Sequence, residues 1–138
     1  MCSSDLCNTN AFARESHLSR LAELAGADPI EFRLRHLGHP RARRVLGEAA
    51  RHWGWTPTVG RSGRGLGVAC GEDTDTFVAT IAEVAVDAAT GRITVRRVLC
   101  VQDMGRVINP AGARLQMEGC ITMGLGYALT EEIGRAHV

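Results

Sequence analysis

Two runs rich in Val, Ile and Thr, residues 77–87 and 92–103, flank the turn sequence DAATG, and this constrains the fold more than any other feature. Runs of that length and composition on either side of a short turn predict an antiparallel hairpin. Val78, Ala82, Val84 and Val86 alternate with Ile81 and Ala85, so both faces of the hairpin carry apolar side chains and a sheet covered on both sides is expected. Leu66 to Cys70 is a candidate third strand.

Upstream the period changes from two to 3.6. Leu18, Leu21, Ala22 and Ala25 recur at helical spacing, and Gly26 can close the turn in a left-handed conformation, so a short amphipathic helix is expected. Asp28, Pro29 and Glu31 form a start like a capping box for a second helix carrying Ile30, Leu34 and Leu37, with Gly38 at its end. A third helix begins near Pro40. It places Ala42, Val45, Leu46, Ala49 and Trp53 on one face and Arg41, Arg43, Arg44 and Arg51 on the others, and Gly54 stops it. Those arginines are expected on a solvated face or an interdomain contact. Pro57, Gly60 and Gly63 mark a surface connection. The organisation expected is a helical segment at 7–54, a linker at 55–65, and a sheet followed by a helix at 66–132. The fold class is α+β: short amphipathic helices, an antiparallel hairpin with a possible third strand, then a C-terminal helix.

Composition narrows the functional classes. A formal charge of +1 over 138 residues gives no electrostatic case for nucleic acid or an anionic membrane, and 4% aromatic content leaves few base-stacking platforms. All 16 basic residues are Arg, which reads as a coding bias. No stretch reaches the roughly 18 uninterrupted apolar residues of a membrane span. Cys2, Cys7, Cys70, Cys100 and Cys120 are scattered without a C-x-x-C pair, which argues against a metal cluster or a disulfide framework. His36, His39 and His52 lack a Cys partner at zinc-site spacing, and Gly38 with Pro40 breaks the helix between the first two, so surface histidines are expected and no metal ligand is assigned. GRSGRGLG, Gly60 to Gly67, precedes a strand, whereas a dinucleotide fingerprint follows one and opens a helix. Glu131 and Glu132 are adjacent on a helix and point to different faces, so they cannot act as a pair.

The run from Asp103 to Glu132, DMGRVINPAGARLQMEGCITMGLGYALTEE, carries the chemistry. Asn109 can cap a helix whose first residue, Pro110, has no N–H to satisfy. Gly105 and Gly112 let an anionic group approach the backbone near that helix start. Gln116 follows with two donors and an acceptor, suited to gripping the edge of a planar heterocycle. From the residues alone, a capped helix with one exposed Gln is the favoured reading.

The order of residues in this run resembles a known signature. D-x-G-x-x-[IV]-N-P, Q-x-E-G and G-L-G-x-[AL]-L-x-E-E occur here as Asp103, Gly105, Ile108, Asn109, Pro110, Gln116, Glu118, Gly119, Gly124, Leu125, Gly126, Leu129, Glu131 and Glu132. They are similar to the molybdopterin-binding large subunit of the xanthine dehydrogenase and aldehyde oxidase family. The stretch Asn10 to Leu37 and the segment EVAVDAATGRITVRRVLCVQDMG extend the likeness, with carbon monoxide dehydrogenase-like and isoquinoline 1-oxidoreductase-like large subunits the nearest in flavour. Cys120 departs from the Gly or Ala of many relatives.

The resemblance implies a piece of a larger molybdopterin-binding domain in an oxidoreductase that hydroxylates aldehydes or N-heterocycles with water as the oxygen source. It implies molybdenum-molybdopterin, in the cytosine dinucleotide form, as cofactor. Expected partners are an iron-sulfur small subunit, with a flavin subunit as a further candidate, in an oligomeric parent; nucleic acid is not expected. Gln116 matches the family position that contacts the pterin, with Asn109, Gly105 and Gly112 as second choices. The family's base is a Glu in a G-E-x-P-like motif further downstream, so no catalytic residue is assigned and the fragment itself is expected to be inactive. CSSDL at residues 2–6 and IGRAHV at residues 133–138 fall outside the family pattern and read as translated sequencing adapter, so 1–6 and 133–138 are set aside. Localisation defaults to the cytoplasm, with an exported parent as the alternative. The competing reading is a non-enzymatic α+β protein-interaction module; a downstream G-E-x-P-like segment beside a gene for an iron-sulfur subunit would discriminate against it.

Overall fold

The computed structural model describes residues 7–56 and 63–131. Three helices precede a three-stranded sheet and a fourth helix: α1 Cys7–Leu24, α2 Pro29–His36, α3 Pro40–Trp53, β1 Arg64–Asp73, β2 Thr76–Val86, β3 Ile93–Asp103 and α4 Pro110–Leu129. The α+β arrangement expected from the sequence is the one observed. Two compact units divide the chain, Met1–Gly105 and Arg106–Val138.

In the first unit the helix boundaries follow local chemistry. Asp28 Oδ1 accepts from the Ile30 and Glu31 amides, both at 2.9 Å, which starts α2. Glu31 does not close a capping box; its carboxylate pairs with Arg35 one turn on. The other oxygen of Asp28 receives Trp55 Nε1 at 2.8 Å, so one side chain both starts α2 and ties down the segment after α3. Gly54 ends α3 at φ 72°, the left-handed conformation expected of a C-terminal Gly.

The sheet is antiparallel in the order β1-β2-β3. The third strand is longer than expected, and β1 takes in Arg64 and Gly65 from the predicted connection, whose residues 57–62 lie outside those described. Thr74 and Asp75 both have positive φ, 47° and 58°, the geometry of a two-residue hairpin turn between β1 and β2. At the DAATG turn, Asp87 Oδ1 accepts from Ala89 and Thr90 at 2.8 and 2.9 Å. A bulge falls between Glu83 and Val84, where partners jump from Arg97 to Val95.

One core serves helices and sheet together: Ile30, Val45, Leu46 and Ala49 pack with Val68, Phe77, Ala79 and Ile81. Burying side chains such as Leu46, Phe77 and Ile81 contributes about 1.5–3 kcal/mol each. Exposed ion pairs one turn apart, such as Arg20–Glu23 and Arg35–Glu31, contribute about 0.2–0.5 kcal/mol, so packing of α3 on β2 dominates. Only one face of the sheet is covered in this way. Phe77, Ala79 and Ile81 are buried, while Val78, Thr80 and Ala82 in the alternate register are half-buried.

Two expectations are corrected. α1 is an 18-residue helix rather than a short one, and its buried positions are Glu15 and Ala22, with Leu21 and Ala25 exposed. Arg41 is drawn into the fold, its side chain 25% exposed, whereas Arg43, Arg44 and Arg51 lie on the solvated face as predicted.

The second unit contains α4, a 20-residue helix capped by Asn109, in which no residue is buried. Leu115, Met123 and Tyr127 are all exposed. No helix among the described residues is long and apolar enough to cross a membrane.

Candidate functional site

The candidate residues fall at the end of the sheet and the start of α4. Asp103 is the last residue of β3, and its carboxylate is fully engaged. Oδ1 accepts from Arg41 Nη2 at 2.8 Å and from the Gly105 amide at 3.0 Å. Oδ2 accepts from Arg41 Nε at 3.1 Å and Arg44 Nη2 at 2.8 Å. Hydrogen bonding to Arg41, then to Arg44 and the Gly105 amide, holds the Asp103 carboxyl far below the usual carboxylate range. Arg41 is raised in turn, first by Asp103 and further by Asp75. Gly105 follows at φ 75°, a conformation that a side chain would strain, so Gly is required there by the backbone.

In the second unit, Asn109 Oδ1 accepts from the Gly112 amide at 3.0 Å, the N-cap bond read from the sequence. A Cβ on Gly112 would lie 2.9 Å from Asn109 Nδ2, so the missing side chain at Gly112 makes room for its own cap. Gln116 stands one turn further on, exposed, with a single long contact to Cys120 Sγ at 3.7 Å. Its carboxamide is therefore held loosely and is available to a ligand. A Cβ on Gly119 or Gly124 would meet open space, so the helix surface beyond Gln116 is uncrowded. Asn109, Gly112 and Gln116 are brought together on the first turns of α4; Gly105 belongs to the other unit.

The features given little weight in the sequence take structural places. His36 Nδ1 lies 2.7 Å from Phe32 O, His39 caps α3 and stacks on Phe77, and His52 is near Glu48. Most of GRSGRGLG that is described forms the start of β1. Glu132 lies outside the described residues. Among the described residues no group of three or more His, Cys, Asp or Glu is placed to hold a metal ion.

The sequence reading missed a buried ionic network. Arg33, 2% exposed, donates through Nε to Glu15 Oε2 at 2.9 Å and through Nη2 to Glu15 O and Ser19 Oγ, both at 2.9 Å. Glu15 Oε2 also accepts from the Cys70 amide at 3.0 Å, and Arg14 Nη2 donates to Cys70 O at 2.8 Å. These groups border a cavity of about 350 Å³ whose lining includes Leu18, His36, Leu37 and Cys70. Burial, then the charge of Glu15, pushes the Cys70 thiol up to about 11. A signal was present: Glu15, Leu18 and Ala22 share one helical face, and Arg33 lies between Ile30 and Leu34 on another.

Comparison with known proteins identifies the class. The family model for the molybdopterin cofactor-binding domain matches residues 18–136, and the chain belongs to this family. It is similar to a nicotinate dehydrogenase subunit of Pseudomonas putida, 34% identical over 140 residues, an alignment covering 90% of this chain and 12% of that protein. The beta chain of isoquinoline 1-oxidoreductase from Brevundimonas diminuta is 36% identical over 125 residues, covering 88% of this chain and 16% of that one. The aldehyde oxidoreductase molybdenum-binding subunit of Escherichia coli is 50% identical over 58 residues, 42% of this chain and 8% of its own length. The chain thus spans well under a fifth of the length of these relatives. The resemblance to the xanthine dehydrogenase and aldehyde oxidase family holds.

Proposed function

We propose that this chain forms one wall of the molybdopterin pocket in the large subunit of a molybdenum hydroxylase, and that Gln116 contacts the pterin. The observation that carries the reading is the ordered signature from Asp103 to Glu131 within the matched region, together with an exposed and loosely held carboxamide at Gln116. Gln116 would donate through its NH₂ group and accept through its carbonyl oxygen at the edge of the heterocycle. Asn109 has its carbonyl oxygen engaged in the helix cap, so it offers only its amide NH₂, and the Gly105 turn offers close approach to backbone. The cytosine dinucleotide form supplies a longer anionic tail, to which the positive end of α4 is suited.

When bound, the cofactor supplies two-electron oxidation of an aldehyde or N-heterocycle with water as the oxygen source. This chain's residues bind and orient it; none is assigned as the base. An iron-sulfur subunit is the expected electron-carrying partner, a proposal supported by the names of the relatives, which are designated as subunits. The test is Gln116→Ala in the longer protein that carries this segment, read as molybdopterin content after purification. Loss of two hydrogen bonds of about 1 kcal/mol each lowers affinity about thirtyfold. Unchanged pterin content and turnover would remove Gln116 from the site.

A further inference from the structure

We propose that Arg41 is a positioning residue for the cofactor-facing turn: by gripping Asp103 it fixes the carboxylate that holds the Gly105 amide. The proposal rests on the cofactor reading above for its functional consequence, although its geometric half stands without it.

Asp103 Oδ1 accepts from the Gly105 amide at 3.0 Å and so ties down the left-handed turn at Gly105, φ 75°. A free Asp side chain rotates about two torsions and would hold that bond only part of the time. Arg41 removes the freedom by donating to both oxygens, Nη2 to Oδ1 at 2.8 Å and Nε to Oδ2 at 3.1 Å. This planar fork against a planar carboxylate cannot be reproduced by a point charge. Arg41 is itself fixed from two other directions. Nη1 pairs with Asp75 Oδ1 at 2.8 Å, in the turn between β1 and β2, and its guanidinium carbon lies 4.8 Å from the ring centroid of Phe77, which is 1% exposed. Arg44 reaches Asp103 through one nitrogen and its side chain is 67% exposed, so it cannot substitute. The first turn of α3, anchored by Leu46 and Val45 in the core, thereby sets the point at which the chain leaves the sheet.

The experiment has two readouts. In this chain, exchange of the Gly105 amide is followed by NMR for wild type, Arg41→Gln, Arg41→Lys and, as control, Arg51→Gln, whose guanidinium pairs with Glu48 on the exposed side of α3. In the longer protein, pterin content is measured for the same set. Exchange at Gly105 is expected to rise at least about fivefold in Arg41→Gln, corresponding to one lost hydrogen bond, and to remain raised in Arg41→Lys. Pterin content should fall in both, and Arg51→Gln should match wild type in both readouts. Wild-type exchange in both Arg41 variants would overturn the proposal. Raised exchange with unchanged pterin content would overturn the positioning role alone. A wild-type protein without pterin would instead sink the cofactor reading, leaving the exchange result to decide what Arg41 does. Should Arg41→Gln fail to fold, Arg41→Lys carries both readouts.

Discussion

Asn109 and Gly112 act as one device, and their coupling predicts that a substitution that ordinarily stabilises a helix gains nothing here. Replacing Gly by Ala inside a helix ordinarily stabilises it by about 0.8–1 kcal/mol. At Gly112 the new Cβ would sit 2.9 Å from Asn109 Nδ2 and displace the cap, whose loss is worth about 1 kcal/mol, so Gly112→Ala should change helix stability little. In Asn109→Ala, where no cap remains to displace, the same Gly112→Ala change should recover its full gain; a double-mutant cycle read by thermal unfolding checks this. The cap was legible in the sequence because Asn, Pro and Gly act within four residues of one another. The grip of Arg41 on Asp103 was not, because 62 positions separate the two and only the fold brings them together. Position on a helical wheel assigned Arg41 to a solvated face or an interdomain contact; the turn between β1 and β2 and the end of β3 claimed it.

Among the elements, α2, α3 and α4 could be read closely, each having a stop or start residue with a local mechanism in Asp28, Gly54 and Asn109. α1 could not, since it is anchored by a charged residue rather than an apolar stripe. Glu15 and Arg14 satisfy the peptide groups of Cys70 in β1, an outer strand of the sheet, so α1 is fastened to that strand by polar bonds. Removing one partner of a buried ion pair leaves the other uncompensated, a loss of about 3–5 kcal/mol. Glu15→Ala should therefore destabilise the first unit by about that amount, measured by urea unfolding, whereas Glu23→Ala, which breaks an exposed pair, should cost less than about 0.5 kcal/mol. Equal losses from the two substitutions would show that the Glu15 network does not hold α1. The hairpin was the most legible element of all, because period-two patterning and the Asp87 turn agree; only the bulge at Glu83 and the full length of β1 went unread.

At the scale of the whole molecule, the α+β class followed from the change of period along the chain, but the single core shared by helices and sheet did not, since sequence order says nothing of which apolar faces meet. The hydrogen bonds from Arg41, then Arg44 and the Gly105 amide, make Asp103 a titration point for the first unit. Its folded-state carboxyl is depressed, so its contribution is fully present above the unfolded value of about 3.9 and is lost as pH falls toward the folded value. The stability difference between wild type and Asp103→Asn should stay constant from about pH 7 to pH 5 and shrink below about pH 4; a difference that persists undiminished at pH 3 would contradict the assignment. The same core also imposes a schedule. A ribosome delivers α1, α2 and α3 before the three strands of this sheet, so Leu46 and Val45 can meet Ile30 early but gain Phe77 and Ile81 only when β2 has emerged. At about 5–20 residues per second the third helix waits seconds with the sheet-facing part of its apolar stripe uncovered. During that interval the uncovered apolar surface is the kind that is prone to aggregation, and closure of the second strand over α3 removes it.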